Sequence, residues 1–209
     1  MRPRAALLLV LLALLGSTVP AQAAYDPIGG GTTKLVLDKG FLSFLKREGV
    51  TLTAKAPAKR LGNSITLPVS GGKSDPTQGK GEVSHEGQIV FAKANRKVPL
   101  REIELKAKKT PLFAKVGGSQ LKLTTAKTIS SAREGFGQGF KAKGLTLTAK
   151  VATRLNKKLR TGKAFQEGLA IGSLKTKTRP QRVAILEQGQ GTLVPDPAIL
   201  AKFKALFVS

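Results

Sequence analysis

The chain has 209 residues, with 36 Lys+Arg against 12 Asp+Glu, a net charge of +24, no cysteine, no tryptophan, one histidine and one tyrosine. The lack of cysteine excludes disulfide stapling, thiol catalysis and cysteine-held metals, and a lone histidine excludes zinc sites built on two or three imidazoles. So positive a field attracts anionic polymers at long range, yet the basic residues are spread along the chain and form no nucleic-acid motif.

Arg2 and Arg4 head an uncharged run of alanine, leucine and valine over 5–15. Gly16, Ser17 and Pro20 break it, and Ala21-Gln22-Ala23 has the small–x–small pattern of a cleavage site. This layout predicts a secretory signal peptide over 1–23. Its apolar run falls short of the ~20 residues a membrane-crossing helix needs, so no transmembrane segment is expected. The working chain is expected to start near Ala24 and to be secreted, extracellular or attached to the cell wall. There the accessible polyanions are wall phosphate polymers, acidic polysaccharides and lipid headgroups; no specific nucleic-acid partner is expected.

Tyr25 to Thr33 is rich in glycine, contains Pro27 and reads as a flexible lead-in, with a strand over 32–37. Asp38 can cap a short helix to about Glu48, with Phe41, Leu42 and Leu45 at helical spacing and Gly49 as the stop. Val50 to Lys55 and Ile65 to Val69 read as strands, and Ser70 to Gly81 as a loop by composition. Short β-rich runs follow at Glu82–Gly87, Gln88–Ala92, Lys97–Lys106, Leu112–Val116 and Ser119–Ala126, separated by Gly, Asn and Pro signals. Many strands in series predict a mainly β, antiparallel, sandwich-like domain with a few short peripheral helices.

Gly49-Val-Thr-Leu-Thr-Ala-Lys55 recurs as Gly144-Leu-Thr-Leu-Thr-Ala-Lys150, and Phe41 falls on Phe136 at the same offset. This predicts an internal duplication relating 35–55 to 130–150, with a second helix over Ser131–Lys143 that Gly135, Gly137 and Gly139 weaken. Val151, Leu155 and Leu159 predict a short helix along the core edge. Phe165 to Gly172 reads as a turn into a strand that ends near Thr178. The β domain is expected over 24–180, followed by a C-terminal extension over 181–209. That extension contains a candidate strand at Val183–Glu187 and a terminal amphipathic helix over 197–207, capped by Asp196.

Chemistry-bearing motifs are sparse. Gly29–Gly31 has no following Lys-Ser/Thr, and Gly135-Phe-Gly-Gln-Gly139 lacks the spacing of a dinucleotide fingerprint. Ser84 adjoins His85, but neighbours on a strand point to opposite faces, so they make a poor nucleophile–base pair. Glu82, Glu86, Glu102 and Glu104 could in form supply a glycosidase pair; scattered among so many bases, they read as salt-bridge partners. No catalytic residue is assigned. His85 has two readings, a strand-end histidine bonded to its neighbours or a ligand-contacting residue at the mouth of the sandwich.

The chain from about Thr32 to Lys177 resembles the HtaA-type domain of actinobacterial secreted and cell-surface proteins. The resemblance is carried by Leu35-Val-Leu-Asp-Lys39 with Leu45 to Val50, Ile65-Thr-Leu-Pro-Val-Ser-Gly-Gly72 and Gly81-Glu-Val-Ser-His-Glu-Gly-Gln-Ile-Val-Phe91. Leu155-Asn156, Phe165-Gln-Glu-Gly168 and Ile171-Gly172 complete it. It implies a β-rich domain outside the cell and, in haem-capturing members, a tyrosine on iron supported by a histidine. His85 lies where that histidine is expected. Gly40 to Lys46 offers only Phe41 and Phe44 where the tyrosine would be, and neither ring has an oxygen for iron.

These observations lead to a secreted, non-enzymatic, envelope-associated binding module for anionic material, with no cofactor assigned. Two alternatives stand beside it: a haem or tetrapyrrole binder using His85 through an atypical site, and an envelope hydrolase.

Overall fold

The computed structural model describes residues 25–75, 77–107 and 110–181. The proposed signal peptide, the strand at Val183–Glu187 and the terminal helix at 197–207 lie outside these residues.

Among the described residues eleven strands and two helices follow in the order β1 (Asp26–Leu37), α1 (Lys39–Arg47), β2 (Thr51–Lys55), β3 (Lys59–Leu61), β4 (Ser64–Asp75), β5 (Lys80–His85), β6 (Gln88–Lys93) and β7 (Arg96–Lys106). They continue with β8 (Thr110–Val116), β9 (Ser119–Glu134), β10 (Gly137–Leu147), α2 (Ala149–Leu159) and β11 (Ala170–Pro180). All pairings are antiparallel. Strands β7, β5, β4, β1, β11, β10, β9 and β8 are neighbours in that order, and β8 pairs back onto β7. The mainly β, antiparallel domain with short helices is therefore as expected, and its sandwich-like form is one sheet closed into an eight-stranded barrel, whose interior is narrow enough for side chains to fill.

β7 makes the closure possible. One edge of it pairs with β6 over Arg96–Leu100 and with β5 over Ile103–Lys106, while the other edge carries β8. The change of partner falls at Glu102, which has φ 48, inside a register break against β8. Such a bulge bends a strand and increases its twist. β2 pairs with the outer edge of β6, and β3 with β4.

Three sequence expectations fail for one reason. The supposed flexible lead-in is the first half of β1, the loop over 70–81 is the end of β4 and the start of β5, and the helix over 131–143 is the β9–β10 hairpin. Several of their glycines serve close approach as well as positive φ. A Cβ on Gly31 would strike the Lys177 carbonyl, and one on Gly72 the Glu82 carbonyl, across the pairing. In β10 the alternation is period two, with Gln138, Phe140 and Ala142 buried and Lys141 and Lys143 exposed. The recurring heptapeptides also do different jobs. The first is the turn after α1 and then β2, whereas the second is the end of β10 and the first turn of α2.

The two helices form as expected and close one end of the barrel, here called the lower end. Asp38 caps α1 by accepting a hydrogen bond from Gly40 N at 2.7 Å, and Lys46 and Arg47 sit favourably in its last turn. Phe41, Phe44 and Leu45 face inward from α1, and Val151, Ala152, Leu155 and Leu159 from α2. Phe165 joins the two, edge-on to Phe44 at 5.2 Å and to Phe91 at 6.1 Å. The upper end carries the β4–β5 and β9–β10 turns, and Gln181 stands beside Pro27 there through Gln181 N bonding Pro27 O.

Candidate functional site

His85 closes β5 and is buried, 6% exposed, among the interior side chains, while Ser84 beside it is exposed. Alternation thus separates the two as the sequence predicts. His85 Nδ1 lies 3.0 Å from the Ile103 carbonyl, which can only accept, so the proton is on Nδ1. Nε2 then accepts from the Thr33 hydroxyl at 2.6 Å, and Thr33 in turn accepts from Thr176 at 2.7 Å. The neutral ring links β5, β7, β1 and β11 across the barrel. Desolvation lowers its pKa from the ordinary 6.5 to about 4, against the weaker upward pull of the Ile103 bond.

Both ring nitrogens are engaged by protein groups, and Phe41 and Phe44, where the ligating tyrosine would stand, are packed in the core. The carboxylates are used otherwise. Glu82 pairs with Lys73 and Lys106, Glu104 with Lys106, and Glu102 with Lys115. Among the described residues no group of three or more His, Asp or Glu could hold a metal ion, and no helix is long and apolar enough to cross a membrane.

A concavity among the described residues lies elsewhere, on the outer side of α2. It is an open cleft of about 710 Å³ between that helix and the loop to β11, and its rim carries Lys157, Arg160, Lys163 and Glu167. Asn156 builds it. Its Nδ2 donates to Phe165 O at 2.7 Å, and its Oδ1 accepts from Phe165 N at 3.0 Å and from the Thr161 hydroxyl at 2.8 Å. One side chain therefore pins the loop onto the helix from both directions, with the Phe165 ring anchored in the core beneath.

Arg160 ends α2 at φ 53, ψ 52, the left-handed position, and Thr161 N returns to Asn156 O. Glycine is the usual occupant of that position, because a Cβ there is strained. The described ion pairs include none of Lys150, Arg154, Lys157, Lys158, Arg160 and Lys163. Sequence reading saw the helix but not the cluster, since lysines scattered through the chain look alike until the helix and its loop are brought together. The one local signal was a helix end with arginine where glycine is expected and Gly162 two residues late.

Among solved structures, the crystal structure of the C-terminal domain of HtaA from Corynebacterium glutamicum superposes with a TM-score of 0.54. The match covers 74% of this chain and 99% of that one, at 10% sequence identity. The two share a fold. Neither a family model nor a curated protein sequence matches the chain. The kinship with the HtaA domain thus lies in the barrel, and at this identity it does not extend to particular side chains.

Proposed function

We propose that this HtaA-like barrel is an exported, non-catalytic module that binds anionic polymers of the cell envelope through the α2 cleft. The observation that carries it is Arg160, held in a strained left-handed conformation on the rim of a rigid cleft beside Lys157 and Lys163. Strain kept at a surface arginine is the kind of outlier that points to use. A guanidinium presents paired donors to a phosphate or carboxylate, and two lysines add charge along a repeating polymer. The strong net positive charge, +24 over the full sequence, supplies long-range attraction. In this reading His85 belongs to the barrel interior and holds no ligand.

The test is retention of the chain from Ala24 to Ser209 on purified wall phosphate polymer. Retention falls steeply as salt rises, and Lys157→Glu with Arg160→Glu and Lys163→Glu weakens it at least tenfold at low salt. Retention unchanged by the triple reversal removes the cleft from the reading. Titration with hemin gives no Soret shift at micromolar concentration; a ligand band that disappears in His85→Ala restores the haem alternative.

A further inference from the structure

The upper rim carries a second feature that the cleft does not use. The β9–β10 hairpin turns through two residues, Gly135 and Phe136, because Glu134 pairs with Gly137. Gly135 takes the left-handed position at φ 61. The other turn residue would ordinarily be Asn, Asp, Ser or Gly; here it is a phenylalanine, 90% exposed. Neither the turn nor the core explains that ring.

Its surroundings are basic. Arg133 lies two residues before the turn, opposite Gln138, and Gly137 packs against Thr178 and Arg179 of β11. Glu134, the nearby acid, is engaged by Lys175 at 3.7 Å and Lys177 at 3.4 Å. Desolvation opposes this, but those lysines and Lys141 still hold its carboxyl below the usual range. The described ion pairs include neither Arg133 nor Arg179. Tyr25, the other exposed aromatic among the described residues, stands at the same end with the Lys73 ammonium 5.3 Å from its ring. Exposed aromatic rings among basic side chains match a membrane–water interface, where rings sit at headgroup depth and cations meet phosphates.

We propose that the upper rim docks on an anionic lipid surface, with Phe136 inserting among the headgroups and Arg133 and Arg179 pairing with lipid phosphates. This surface is separate from the α2 cleft. Phe136 precedes β10 and α2 follows it, so the two lie at opposite ends of an 11-residue strand, roughly 35 Å apart. A single ring and a few cations give reversible attachment, not anchoring.

The chain has no tryptophan, so Phe136→Trp places a sole indole at the tip. The protein tested spans Ala24 to Ser209, because the apolar run over 5–15 would bind lipid unaided. With phosphatidylglycerol vesicles the indole emission shifts to the blue and is quenched by brominated acyl chains, whereas phosphatidylcholine vesicles leave it unchanged. Phe136→Ser, with its far-ultraviolet dichroism intact, binds the anionic vesicles about tenfold more weakly, and Arg133→Ser about fivefold more weakly. Emission unchanged on vesicle binding overturns the proposal, as does Phe136→Ser binding as tightly as the parent. Self-association that depends on Phe136 in the absence of lipid also overturns it, by making a second copy the occupant.

Discussion

The two ends of the barrel differ in the share of polar side chains they bury. At the lower end Phe44, Phe91, Leu155 and Phe165 are buried and the helices cover them. The barrel interior toward the upper end includes Thr33, Thr176, Thr178, Gln138 and His85, joined in part by hydrogen bonds. An apolar plug gains stability roughly in proportion to area removed from water. A buried polar layer gains little net free energy and costs heavily if one partner is lost. Stability is therefore concentrated where the helices are. The basic cleft lies on the outer face of the same helix whose inner face makes the plug, so it inherits that rigidity.

Removing apolar volume at the lower end has the largest expected effect. Leu155, fully buried in α2, on replacement by Ala costs about 3 kcal/mol in denaturant unfolding. A loss under about 1 kcal/mol would mean the plug is not what holds the barrel shut.

Acid probes the polar interior. The unfolded chain binds a proton on His85 near pH 6.5, whereas the folded chain resists until about pH 4. Stability from this group is thus complete above the unfolded value and declines as pH falls between the two, by about 3 kcal/mol in all. Unfolding free energies measured from pH 7 to 4 should show that slope, and His85→Asn should flatten it. A slope that survives the substitution assigns the acid sensitivity to carboxylates instead.

Thr33→Val should cost about 1–2 kcal/mol, because it leaves His85 Nε2 without its donor in a dry interior. The companion measurement is the His85 imidazole NMR shift, which should show the Nδ1–H tautomer retained through Ile103.

Arg160→Gly is the smallest change and has the opposite sign. Relieving the left-handed strain should raise stability by about 0.5–1 kcal/mol while weakening polymer retention. Gain of stability with retention intact would leave Arg160 without a reason to be there.

Local patterns revealed more of the lower end than of the upper. The Asp38 cap, the apolar stripe of α2 and the strand after Gly168 depend on neighbours a few residues apart, and all three stand where the sequence puts them. The upper end depends on partners far along the chain. Gly31 meets Lys177, and Gly72 meets Glu82, so glycines that look like loop punctuation are contact points. Phe136 resembles a core residue in any hydrophobicity pattern, and only the hairpin shows it facing water.

Composition alone determined that the chain is basic and lacks thiols, since charge and residue type need no fold to be counted. Period-two alternation likewise determined most of the strands, because the pleat is a property of the local backbone. Closure of one sheet into a barrel was decided by β8 returning to β7 around the bulge at Glu102. The grouping of Lys157, Arg160 and Lys163 on one cleft came from Asn156 tying loop to helix. Both depend on long-range pairing and packing, whose energies reside in contacts that a linear reading does not contain.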